Sequence, residues 1–196
     1  MLQDIPNLFL FRGCSTTFKN RVAFHFKALY CEKGPVTIHE RRLNAMNMKI
    51  ENLPSCSVAY IRKVGVYGAD NIRTMEQLKH WAEANNLMNN KTVIFGIAHD
   101  NPQTTPPENC RYDACILLAN KHFEVDGNVQ YGEIGGGKYA VFSVQHTAKA
   151  VEQAWEDIFP LLFEGGYLYD ATRAIIERYA AEMVDRHLCE ICVPIY

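Results

Sequence analysis

From residue 46 onward the chain alternates between two periodicities. "MNMKIENL" (46–53) is short and partly alternating, and Pro54-Ser55 turns it. "CSVAYIRKV" (56–64) sets β-branched and aromatic residues against polar ones at period two, which predicts a strand. "GVYG" (65–68) is a glycine-bounded turn. In "ADNIRTMEQLKHWAEANNL" (69–87) the positions Ile72, Met75, Leu78, Trp81 and Ala82 recur at three and four, the stripe of an amphipathic helix, and an Asn-rich stretch ends it. "TVIFGIAHD" (92–100) and "CRYDACILLA" (110–119) are strands around the loop "NPQTTPPEN".

The order then repeats. "NVQYGEI" (128–134) and "KYAVFSVQH" (138–146) are strand-like. "TAKAVEQAWEDIFPLLFEG" (147–165) is an amphipathic helix carrying Val151, Ala154, Trp155, Ile158 and Phe159, and "LCEICVPIY" (188–196) reads as a last strand. Between them lies "AIIERYAAE" (174–182), which admits two readings. At period 3.6 it is a helix with Glu177 in water. At period two it is a strand on which Ile175, Glu177 and Tyr179 share a face. An internal duplication decides for the strand, because 173–181 occupies the place in the second half that 92–100 occupies in the first. The prediction is an α+β fold, a duplicated strand–helix–strand–strand module whose antiparallel sheet of about eight strands carries two long helices on one face. Two helices cannot cover so many strands, so a central groove is expected between them.

Composition adds limits. The chain has 196 residues, 48% hydrophobic and 21% charged, with a net charge of −2, and so lacks the overall basic balance of a nucleic-acid binder. The charge is uneven: residues 1–45 hold seven Lys/Arg against three acids, and the remainder thirteen against nineteen. No apolar run approaches the roughly 18–20 residues of a membrane span, and "NLFLF" (8–12) is too short and lacks the basic flank of a signal peptide. Seven scattered cysteines read as reduced thiols, which places the protein in the cytoplasm.

Three tempting motifs carry no chemistry on this reading. "GEIGGGK" (132–138) is followed by Tyr139 and a strand, not by Ser/Thr and a helix, so it reads as a hairpin turn and not as a phosphate loop. "CEIC" (189–192) lies on a strand, where its thiols point to opposite faces, so no metal is expected. In "CRYD", Arg111 and Asp113 share a strand face and read as a structural ion pair.

"VAYIRKVGVYG" (58–68), "IAHDNPQTTPPENCRYDACILL" (97–118) and "GGGKYAVF" (135–142), together with the Trp-bearing second helix, Glu177 and Tyr179, and the terminal "EICVPI" (190–195), resemble the effector-binding domain of the gyrase-inhibitory-protein-like (GyrI-like) family. The resemblance spans 46–196. It implies the duplicated fold and a central groove that takes small, often aromatic or cationic molecules, with no cofactor. Many members are C-terminal domains of AraC-type or MerR-type transcription regulators. Residues 1–45 faintly resemble an AraC-type helix-turn-helix with its spacings off, and are read as a truncated or decayed remnant with weak or no DNA binding.

The candidate site follows. Glu177 beside Tyr179 is a carboxylate among rings, whose missing counter-charge a cationic ligand would supply, while ring faces add about 0.5–2 kcal/mol each. The plainer alternative is a Glu paired with a neighbouring Arg or pointing to water. Tyr67 sits in the turn where the family keeps a Tyr, and its hydroxyl can address a ligand or Glu177; otherwise it packs on the sheet. Trp155 and Trp81 border the expected groove or fill the core. Phe95 and Tyr139 are further lining candidates. The first functional expectation is therefore a sensor or sequestering protein for an amphipathic, cationic or planar aromatic molecule. The alternatives are a hydrolase of cyclopropane-bearing DNA-alkylating antibiotics with Glu177 and Tyr67 as catalytic groups, and an inhibitor of DNA gyrase acting by contact through its acidic surface.

Overall fold

A computed structural model describes residues 48–119, 125 and 127–196; the N-terminal remnant read from 1–45 lies outside the described residues. The first half runs β1 (Met48–Leu53), β2 (Cys56–Val64), α1 (Ala69–Ala84), β3 (Val93–Ala98) and β4 (Arg111–Leu117). The second repeats it with β5 (Val129–Ile134), β6 (Gly137–Gln145), α2 (Ala148–Glu164), β7 (Ile176–Ala180) and β8 (Leu188–Pro194). One short helix, α3 (Ala181–Val184), follows β7 directly and has no counterpart in the sequence reading. The helix ends are local. Asn85 and Asn86 close α1, the latter in the left-handed region at φ 56°. The Thr147 hydroxyl caps α2 by accepting from the Ala150 amide at 3.2 Å.

All eight strands join one sheet in the order β1-β6-β8-β7-β3-β4-β2-β5, every pair antiparallel. The order is symmetric about the β7–β3 seam, and the outer strands are exchanged between halves: β1 pairs with β6 and β5 with β2. β5 and β6 therefore do not form the hairpin expected at "GEIGGGK".

That exchange dictates the shape of the sheet. β1 and β2 stand six places apart, about 29 Å in a flat sheet at ~4.8 Å per strand. The chain from Leu53 to Cys56 reaches at most about 11 Å. The same holds for β5 and β6. The sheet must therefore roll until its two ends meet, and the two short links cross there. At the crossing Gly136 packs against the opposite link so closely that a Cβ on it would lie 2.5 Å from the Ser55 amide nitrogen and 2.7 Å from the Leu53 carbonyl.

Rolling gives the sheet two interiors. On the outer face α1 and α2 lie over a core in which Leu78, Ile94, Phe142, Ile158, Leu162 and Ile191 are fully buried. Inside the roll, Val58, Phe95, Cys115, Val141, Ile176 and Cys192 form a second core. This is why several strands read as near-continuous apolar runs. Cys189 belongs to the first core and Cys192 to the second, the opposite-face placement that the strand periodicity predicts.

Candidate functional site

β7 begins beside the symmetry seam, with Glu177 opposite Gly96 of β3 on one side and Ile191 of β8 on the other. Alternation turns Glu177 and Tyr179 toward the helices and Ile176 and Arg178 into the roll. Glu177 is 2% exposed, although it is ionisable. Tyr179 donates its hydroxyl to Oε2 at 2.6 Å, and the Trp155 indole N–H, reaching down from α2, donates to Oε1 at 2.9 Å. No cation pairs with it among the described residues. Burial pushes the Glu177 carboxyl up to about 7, against the smaller opposing pull of the Tyr179 and Trp155 bonds. The Tyr179 hydroxyl is itself driven well above its ordinary range by burial and then by the Glu177 charge, so it remains a donor.

Tyr112 of β4 shares this face, buried beneath the helices. A Cβ at Gly96 would stand 2.8 Å from the Tyr112 hydroxyl and 3.4 Å from Glu177 Oε2. The absent side chain at 96 is what lets the phenol and the carboxylate occupy the same space. Neither residue belongs to the site read from the sequence. The signal for Gly96 was an isolated glycine inside an apolar strand, which marks a close approach.

Beside this cluster opens a cavity of about 570 Å³, enclosed by the turn that precedes α1, the middle of α2 and the segments that follow β3 and precede β7. Tyr67, Trp155, Phe159, Tyr169 and Ile175 wall it, and the segments 98–103 and 171–175 form its rim. Phe159 and Tyr169 meet edge to face at 5.4 Å. Glu177 does not border this space: Trp155, which lines the cavity and bonds the carboxylate, closes it off. A bound ligand would reach Glu177 only by moving the indole.

Tyr67 also departs from expectation. Its ring lines the cavity, but its hydroxyl is turned to the backbone, donating to the Arg111 carbonyl at 2.9 Å and accepting from the Asp100 amide at 3.1 Å. It therefore addresses the rim and not Glu177. Burial pushes the Tyr67 hydroxyl up to about 12. Asp100 takes Arg111 through both oxygens, at 2.8 and 2.9 Å, and that bond holds its carboxyl down at about 2. Arg111 and Asp113 are thus not partners, as the shared face had suggested; Asp113 pairs across to Arg62 of β2 at 2.6 and 2.7 Å.

The remaining candidates are separated from the cavity. Trp81 is half-buried on α1 and packs against the helix-side core. Phe95 and Tyr139 lie inside the roll, on the opposite face of the sheet from Glu177, so they do not line the groove with it. The one-residue offset from Phe95 to Gly96 in register with Glu177 decides this. No cluster of potential metal ligands occurs among the described residues, and no described helix is long and apolar enough to cross a membrane.

Comparison with known proteins bears on the fold and the family. The chain is 46% identical over 151 residues to the SPbeta prophage-derived candidate transcriptional regulator YosT of Bacillus subtilis (strain 168), covering 76% of this chain and 99% of YosT. The EcmrR C-terminal domain superposes with a TM-score of 0.57 at 15% identity, over 76% of this chain and 97% of that one. SAV2435, solved with tetraphenylphosphonium bound, superposes with a TM-score of 0.53 at 16% identity, over 77% of this chain and 94% of that one. These two structural likenesses concern the fold. Residues 46–196 match the family model of the GyrI-like small molecule binding domain, and the chain belongs to that family.

Proposed function

We propose that the protein captures an amphipathic, cationic or planar aromatic molecule in the cavity beside α2, as a sensor or sequestering effector-binding protein of the transcription-regulator type. The observation that carries this reading is Glu177: a carboxylate 2% exposed, held by two neutral donors, with an aromatic-walled cavity on the far side of one of them. Burying such a group without a counter-charge costs on the order of several kcal/mol. A cation that enters and displaces the indole N–H recovers that cost and gains ring contacts from Tyr67, Phe159 and Tyr169. The cavity volume falls within the usual range for sites that enclose small molecules, about 300–1,000 Å³. SAV2435, on the same fold, was solved with tetraphenylphosphonium bound, an amphipathic aromatic cation.

The test is thermal-shift and Trp-fluorescence titration with tetraphenylphosphonium and planar cationic dyes, on the native chain and on Glu177→Gln. Binding raises the melting temperature by mass action and perturbs Trp155 emission. Loss of both effects in Glu177→Gln supports the reading; equal binding by the variant, or by neutral analogues of the same shape, overturns it.

A second reading has one specific observation behind it. A carboxyl titrating at about 7 is poised for proton transfer, as hydrolysis of a cyclopropane-bearing alkylating antibiotic would require. Product formation from such a substrate, abolished in Glu177→Gln, distinguishes hydrolysis from capture.

A further inference from the structure

The inside of the rolled sheet holds a second cavity, of about 340 Å³, on the opposite face of the sheet from Glu177. Its apolar end is built from Val58, Ile97, Ile134 and the ring of Tyr139. Its polar end is a connected cluster. Asp113, 4% exposed, accepts Arg62 Nε on Oδ1 at 2.7 Å and Arg62 Nη2 on Oδ2 at 2.6 Å, and His99 Nε2 lies 2.6 Å from Oδ2. Asp113 is thereby occupied on both oxygens. What remains unengaged, among the described residues, is Nη1 of Arg62 and Nδ1 of His99.

Charge decides what the cavity accepts. Its lining carries Arg62 and Arg173 against Asp113 and Glu133, with Glu133 exposed to water. Arg173 lies over the Tyr139 ring at 4.8 Å, fixed by Asp170 at 2.8 Å and by the carbonyls of Lys138 and Ile195 at 3.1 and 2.8 Å. Arg62 lies 5.4 Å from the centroid of the Tyr60 ring. The acids facing this space are tied to guanidinium or solvated, while a guanidinium edge remains available. An anionic head is favoured here, and a cationic one is not.

We infer that this inner cavity is a second small-molecule site, taking a small carboxylate with an apolar body, the carboxylate on the free edge of Arg62 and the body between Tyr139, Ile97 and Val58. It stands independently of ligand capture beside Glu177. The two cavities share His99, Thr172, Arg173 and Ala174 as a common wall. The seam leaves room for this wall: β3 and β7 pair only as far as Gly96 opposite Glu177 and part beyond it. An occupant of one cavity therefore presses on residues that shape the other.

The experiment is an NMR titration of the full chain with benzoate and hexanoate, alongside benzamide and hexylamine. The expected result is saturable amide shifts at Ile97, His99, Cys115 and Gly132 with the carboxylates, about tenfold weaker or absent with the amide and amine, and unchanged in Glu177→Gln. Arg62→Met is expected to weaken carboxylate binding at least about tenfold, the loss of one charge-assisted pair. Because that variant strands the buried Asp113, Arg62→Met/Asp113→Asn is measured in parallel, with amide dispersion confirming its fold. Absence of shifts with the native chain at millimolar carboxylate, shifts confined to the Trp155 and Phe159 cavity, equal responses to hexylamine, or full binding by the folded double variant would each overturn the inference.

Discussion

The Trp155 indole N–H lies 2.9 Å from Glu177 Oε1, and this one bond joins the second helix to the centre of the sheet. It gives a buried carboxylate a donor and at the same time closes the cavity over it. On the proposed reading, ligand entry and the ionisation of Glu177 meet at this side chain.

Trp155→Phe keeps an aromatic ring, though a smaller one, and removes the donor. The bond favours the ionised carboxylate, so its loss moves the Glu177 midpoint further up from about 7. The side-chain carboxyl carbon shift of Glu177, followed by NMR across pH, measures this. Stability falls by about 1–3 kcal/mol, the cost of a buried acceptor left short of a donor.

Stability should fall as pH rises through the range set by Glu177. Its folded value, about 7, lies above its ordinary 4.5. Below 4.5 both folded and unfolded states hold the proton. Between 4.5 and 7 the unfolded chain releases it and the folded one does not, so the unfolded state gains. The total is on the order of 3 kcal/mol. His146, kept low by burial and then by Lys79 and His187, acts in the opposite direction below 6.5. Urea unfolding at about pH 4.5 and 7.5, with Glu177→Gln subtracted, isolates the Glu177 contribution; identical pH slopes in both proteins would refute it.

Affinity for tetraphenylphosphonium should rise with pH, because the cation selects the ionised carboxylate. Below the midpoint near 7 the gain approaches about tenfold per pH unit, and above it the affinity levels off. Calorimetry in buffers of different ionisation enthalpy should show release of up to one proton per ligand at about pH 6. Glu177→Gln should show neither effect.

Tyr67→Phe should loosen the cavity rim while leaving the wall apolar. The hydroxyl holds the Asp100 amide at 3.1 Å and the Arg111 carbonyl at 2.9 Å. Hydrogen-exchange protection of the Asp100 amide should drop, with a stability loss of about 1 kcal/mol.

Gly136→Ala should cost about 2–4 kcal/mol, a figure in the upper range for single substitutions. The added methyl meets backbone at 2.5–2.8 Å on the crossing link, which has no flexible side chain there to give way. Chemical denaturation measures it. Gly135→Ala, where nothing lies within 4 Å, is the control.

Much of the architecture was already written in short-range pattern. Period-two alternation marked the strands and three-and-four spacing marked the helices, because each reports which side chains a local backbone turns to one side. The repeat of that pattern settled the ambiguous segment around Glu177 and put Glu177 and Tyr179 on one face. The face that Glu177 shares with Tyr179 followed from that alternation; its burial and its contact with Trp155 did not.

What the tertiary structure decided is everything that depends on which strand lies beside which. The exchange of β1 and β5 between halves rolls the sheet, and that roll buries Phe95 and Tyr139 in a second interior, on the face of the sheet opposite Glu177. The register of Gly96 against Glu177 chooses their faces. The Asp113–Arg62 and Asp100–Arg111 pairs, and the Trp155 bond across 22 residues of chain, depend on the same long-range pairing. Alternation fixes a side chain's face within its own strand. Only closure of the sheet fixes what that face meets.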